Sequence, residues 1–117
     1  ALKGDTDFVY LHVEASDEAG HEGNVALKVK TIEYLDERIV KPIVEASKTM
    51  DVPLAIAVLP DHPTPCALKT HTHDPVPFLI YKPGIQPDSV ESYDEDAAKA
   101  GSLDLLSDDQ FIRTFLL

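Results

Sequence analysis

The stretch Leu54-Ala55-Ile56-Ala57-Val58-Leu59-Pro60-Asp61-His62 decides how the rest of the chain is read. Six apolar residues run without polar alternation, as in a strand covered on both faces, the pattern of a central parallel sheet. Pro60 closes the run because it has no N–H to give a ladder. Asp61 and His62 then leave the carboxyl end of the strand together. A carboxylate and an imidazole in that position are a common way to build a metal or catalytic site. The alternative is a turn in which Asp61 accepts backbone hydrogen bonds and His62 faces water.

Working outward, Asp7-Phe8-Val9-Tyr10-Leu11-His12-Val13-Glu14 is short and rich in β-branched and aromatic residues, which predicts a first strand. Ala15 to Gly23 is polar. From Asn24 the period changes: Val25, Val29, Ile32, Leu35, Ile39 and Ile43 recur at spacings of three and four, one apolar stripe on a long amphipathic helix. Asn24 is placed to cap it, and Pro42 to bend or end it. The segment Pro60 to Pro77 holds five prolines and cannot be regular helix or inner strand. Val76 to Tyr81 reads as a further strand, and Asp94 to Ala100 and Asp108 to Leu116 as short helices with acidic first turns. This order predicts an α/β layered architecture, in which function gathers in loops beyond the carboxyl ends of strands.

The chain of 117 residues carries 10 Lys+Arg against 21 Asp+Glu, a formal charge of −11. Such a balance argues against nucleic acid or an anionic membrane face as partner and favours divalent cations. Cys66 is the one cysteine, so no intrachain disulfide forms and a reducing cytoplasm is the simpler compartment. The start at Ala1 rather than Met suggests a processed or excised piece.

All five histidines lie in or beside the expected loops. Asp17 and His21, four residues apart, share one side of a helical turn or fold together in a tight loop. Asp61 and His62 form the second group. The third is Lys69-Thr70-His71-Thr72-His73-Asp74, where His71 and His73 cannot point the same way in extended chain. His71, between two threonines, is the better ligand candidate because metal-bound imidazoles need orienting neighbours. His12 faces either the site or a backbone partner, and Cys66 reads as a small loop residue. Two carboxylates and three histidines exceed one open tetrahedral ion and fall slightly short of two.

These three ordered motifs, Asp7 to Asn24, Leu59-Pro60-Asp61-His62-Pro63-Thr64-Pro65, and Lys69-Thr70-His71-Thr72 with Asp74 to Phe78, resemble the carboxyl-terminal part of the archaeal-type, cofactor-independent phosphoglycerate mutases of the alkaline phosphatase superfamily. The resemblance implies an alkaline-phosphatase-like α/β/α core, with residues 1–117 as a partial catalytic domain. It implies two divalent ions (Mn, Zn, Co or Mg), one held by Asp17, His21 and His71, the other partly by Asp61 and His62. His12 and Lys69 are expected as substrate-binding or supporting residues. In the family an aspartate and a nucleophilic serine from an amino-terminal segment complete the site, and the serine carries the phosphoryl group between 3- and 2-phosphoglycerate. No serine of this chain stands in a nucleophile context, so the chain alone is expected to be inactive and to need that missing half as partner. Another phosphohydrolase or phosphotransferase of the superfamily, or a non-catalytic metal-binding module, are the alternatives. An excised sheet exposes apolar faces, which predicts a homodimer in isolation or disordered ligand loops.

Overall fold

In a computed structural model, which describes residues 4–117, the polar stretch after the first expected strand is helical: α1 spans Ala15–Glu22. Asp17 and Glu18 lie in its first turn and His21 in its last, the charge order that suits the helix dipole. It ends at Gly23, whose φ of 71° is left-handed and free of Cβ strain in glycine. There the Gly23 N–H bonds the Gly20 carbonyl and the Asn24 N–H bonds the Ala19 carbonyl, closing the helix in a Schellman turn. Asn24 at once starts α2 (Val25–Leu35), its side chain accepting from the Leu27 N–H at 3.0 Å.

Pro42 does not end this helix. Its ring crowds the carbonyl four residues back and offers no N–H. The chain accommodates it by widening into a π-helical segment, Asp36–Val40, in which the Lys41 N–H reaches back five residues to the Asp36 carbonyl. Helix α3 (Lys41–Ser47) then continues. One turn earlier the Arg38 guanidinium lies 4.0 Å and the Lys30 ammonium 5.4 Å from the centre of the Tyr34 ring.

The chain divides into two units, one of residues up to Val52 together with Thr64–His71, the other of Pro53–Pro63 together with Thr72–Leu117. In the first, the buried positions among the described residues are small: Ala19, Gly20 and Thr64. Asp7 to Glu14 joins no ladder, contrary to the expected strand, and Phe8, Val9, Tyr10 and Leu11 are exposed. β-rich composition favours extended chain, but a strand exists only where another strand takes its hydrogen bonds. No described strand does so here.

In the second unit β1 (Ile56–Val58) pairs with β2 (Leu79–Tyr81), with Ala57 opposite Ile80. The pair is antiparallel, which corrects the parallel arrangement expected from the apolar run. An unbroken apolar run reports burial and carries no information on the direction of the neighbour. The described residues are mainly helical with this one two-stranded sheet, so they do not themselves build a layered α/β/α core. Asp94 accepts from the Asp96 and Ala97 N–H groups at 3.0 and 2.8 Å and starts the short 3-10 turn Ala97–Ala100. Helix α4 (Gln110–Leu116) sets Phe111 edge-on to Phe78, ring centres 5.5 Å apart. Lys82 donates to the Thr114 carbonyl near the end of α4, where a cation opposes the helix dipole. Among the described residues no helix is long and apolar enough to cross a membrane.

Tyr93 ties this unit together by donating toward the Pro77 and Val58 carbonyls, at 3.2 and 3.4 Å. Burial, and then the Glu95 carboxylate, push its phenol from 10.0 up to about 12. The folded state thus keeps the proton longer than the unfolded chain, and the stability gained is present below the unfolded value of 10.0 and lost as pH rises toward about 12. In urea titrations, the advantage of wild type over Tyr93→Phe should therefore be full near neutral pH and shrink steadily across that alkaline window. An advantage that does not change with pH would show that the phenol is not preferentially protonated in the fold.

Candidate metal centre

In the first unit the centre rests on a contact between α1 and the loop Thr64–His71. Gly20 faces Thr64 so closely that a Cβ at position 20 would collide with the Thr64 carbonyl oxygen. The loop can lie this close only because residue 20 has no side chain. Three polar links hold it there. The Lys28 ammonium, from α2, donates to the Thr64 carbonyl. The Thr64 hydroxyl donates to Asp17 Oδ1 at 2.6 Å. Lys69, at a left-handed φ of 55°, offers its carbonyl to His21 Nδ1 at 3.1 Å.

The last contact determines the chemistry of His21. A carbonyl can only accept, so Nδ1 must carry the ring proton, and in the neutral imidazole Nε2 is left with its lone pair. That lone pair faces His71 Nε2 at 3.0 Å. Two such nitrogens need something positive between them, either a proton on His71 Nε2 or a shared cation. Asp17 supplies the negative side: Oδ2 is 3.4 Å from His21 Nε2, and Oδ1 is 3.3 Å from His71 Nε2. The helix accounts for half of this arrangement, since residues four apart in α1 stand on one face.

The spacing suits a divalent ion. Ligand atoms about 2.1 Å from a common ion lie ~3.0 Å apart at right angles and ~3.4 Å apart in a tetrahedron. The two imidazole nitrogens lie 3.0 Å apart, and each is 3.3–3.4 Å from a different oxygen of Asp17, distances in the same range. A carboxylate and two imidazoles accept manganese, zinc or cobalt alike, so the donor set does not select the metal.

Asp61 and His62 lie in the second unit. Asp61 Oδ1 accepts from the His62 N–H at 3.0 Å, and Oδ2 is 3.3 Å from His62 Nε2. Asp61 thus accepts the backbone bond of a turn, but His62 is half-buried rather than facing water, its imidazole held beside the carboxylate. The pair lines an open cavity of about 430 Å³ whose wall also includes Thr72, His73, Asp74, Phe78 and Phe111.

The remaining candidates make local or packing contacts. His12 stacks on Tyr10 at 6.2 Å with Nε2 3.9 Å from Glu14, a local pairing along one segment. Lys69 reaches His21 through its backbone carbonyl, and its side chain lies against Gly23. Cys66 Sγ is 4.0 Å from the Ala19 carbonyl, a packing position behind α1. Thr64 and Lys28 were missed as site residues. The signal for Thr64 was faint: a hydroxyl between Pro63 and Pro65, where the chain is stiff enough to present it. Lys28 carried none, since a lysine on an amphipathic helix reads as solvated.

The packing generates a prediction. Gly20→Ala should lower the urea midpoint by an amount corresponding to about 1–3 kcal/mol, the usual cost of overpacking. A variant as stable as wild type would mean that the loop is free to move away from α1.

A family model described as "Metalloenzyme superfamily" matches residues 1–110. The 2,3-bisphosphoglycerate-independent phosphoglycerate mutase of Methanosarcina barkeri is 54% identical over 101 residues, covering 86% of this chain and 25% of that protein. The mutase of the same name from Methanothrix thermoacetophila is 42% identical over 113 residues, 97% of this chain and 29% of that protein. Among solved structures, the PH0037 protein from Pyrococcus horikoshii superposes with a TM-score of 0.84 at 33% identity, over 94% of this chain and 32% of that one. The chain spans about a quarter of the length of the curated relatives it matches. With α1 and the Thr64–His71 loop falling inside the matched residues, the chain belongs to the Metalloenzyme superfamily, and within it resembles the cofactor-independent phosphoglycerate mutases.

Proposed function

We propose that this chain is the carboxyl-terminal, metal-ligating part of a 2,3-bisphosphoglycerate-independent phosphoglycerate mutase, an isomerase of glycolysis and gluconeogenesis working in the cytoplasm on 3- and 2-phosphoglycerate. The observation that carries the proposal is the convergence of Asp17, His21 and His71, with His21 held in the tautomer a metal ligand requires. The relatives named as mutases match this region at 42–54% identity. The family description implies the use of divalent metal.

Asp17, His21 and His71 would hold one ion, and Asp61 with His62 would contribute to a second. Bound there, divalent ions would supply positive charge to lower the pKa of a serine nucleophile and to neutralise a transferring phosphoryl group. The chain's own residues do the positioning: the Lys69 carbonyl keeps the proton of His21 on Nδ1, and the Asp61 turn keeps His62 beside its carboxylate. The serine and an aspartate would come from an amino-terminal segment of the same protein, within the alkaline-phosphatase-like α/β/α core.

Two measurements test the proposal. Manganese or zinc should raise the melting temperature of the chain by mass action, and the rise should vanish in a His21→Ala, His71→Ala double variant. An undiminished rise in that variant would place the ion elsewhere. For the reaction, the chain would replace the matching quarter of the Methanosarcina barkeri relative. The chimera is expected to convert 3- to 2-phosphoglycerate, and Asp17→Ala within it to lower kcat by roughly 100-fold or more, as expected for loss of metal-assisted chemistry worth several kcal/mol. A folded, metal-binding chimera without mutase turnover would count against the substrate assignment, as would turnover by the 117-residue chain alone against the need for a separate nucleophile.

A further inference from the structure

We infer that Thr64 is the positioning residue that orients Asp17 toward a divalent cation, with Lys28 holding Thr64 in place; the inference rests on the metal-centre proposal above. Thr64 is 4% exposed in a unit whose other buried positions, among the described residues, are Ala19 and Gly20. Burial of a polar side chain is tolerated where its hydroxyl has a partner, and here the partner is Asp17 Oδ1 at 2.6 Å. A carboxylate turns readily about its Cβ–Cγ bond. A short hydrogen bond to one oxygen sets that torsion, and in this fold it leaves Oδ2 toward His21 Nε2 and Oδ1 toward His71 Nε2. Removing the hydroxyl removes the short bond that sets this torsion.

The direction of the bond follows from the charges. An ionised carboxylate can only accept, so Thr64 must donate, and a donor of this kind stabilises the form of Asp17 that binds cations. Serving Thr64 in turn, the Lys28 ammonium bonds its carbonyl, Pro63 and Pro65 limit the backbone on either side, and Gly20 leaves space for the approach. The chain of contacts runs from α2 through Lys28 to the loop, and from the Thr64 hydroxyl to α1. Lys28 on α2 thereby acts on Asp17 through Thr64.

Manganese(II) affinity measured by calorimetry on the 117-residue chain, together with the visible absorption of bound cobalt(II), tests this. Thr64→Val is expected to weaken manganese binding about 10- to 100-fold, the usual cost of removing a hydrogen-bond partner from a metal ligand. Thr64→Ser should remain within about 3-fold of wild type and reproduce its cobalt spectrum, whereas the spectrum of the valine variant should change. Should the valine variant not fold, Thr64→Ala removes the hydroxyl without placing a methyl in its position and decides the question. A merely structural role would lower the melting temperature without metal but leave the cobalt spectrum as in wild type. Wild-type affinity and spectrum in a folded Thr64→Val or Thr64→Ala chain, with binding abolished by His71→Ala, would overturn the role of Thr64 and leave the metal centre standing. No manganese binding by the wild-type chain would overturn the metal centre itself, and this inference with it.

Discussion

The close approach of Gly20 to Thr64 is the constraint on which the candidate metal centre depends. One missing Cβ lets a proline-stiffened loop lie directly on α1. The loop then delivers a hydroxyl to Asp17, a carbonyl to His21 and the ring of His71. None of these groups would reach its partner from even a side chain's breadth further away, since hydrogen bonds weaken steeply beyond ~3.2 Å. The economy of the arrangement lies in its size: the residues that pack are Ala, Gly and Thr, and the larger apolar side chains of α2, such as Val25, Val29 and Ile32, are exposed.

Charge follows the same geometry. A chain of formal charge −11 repels itself, and its cations are accordingly placed with care. Lys28 holds a backbone carbonyl beside the centre, Lys82 holds one at the end of α4, and Arg38 lies over Tyr34 next to the π-helical turn. That turn is the response of a long helix to Pro42: the apolar stripe continues through Ile39 and Ile43, so the helix widens locally instead of stopping. In the second unit the ties are a tyrosine hydroxyl between two segments and an aromatic pair beneath α4.

Much of the local structure was legible in residue order. The Asn24 cap, the long helix, the irregular proline-rich segment and the two short helical elements near the carboxyl end are all local matters, decided within a few residues. The strands were less so. Asp7 to Glu14 has strand composition but no described partner, and Ile56–Val58 found an antiparallel neighbour where a parallel one was expected. Pairing depends on what lies across the ladder, which the pattern along one strand does not encode.

For the candidate centre, the sequence by itself determined the ligand types and half of their geometry: Asp17 and His21, four apart, share a face as soon as the segment is helical. It also pointed to His71 through its neighbouring threonines, although the groups that orient the centre prove to be others. The tertiary structure alone decided that His71 meets His21, that the Lys69 carbonyl reaches His21, and that Thr64 and Lys28 lie beside the candidate centre. The physical reason is range. Helical facing and capping act over three or four residues, whereas these contacts join residues 36 to 50 positions apart, and they exist only where packing has already brought backbone against backbone.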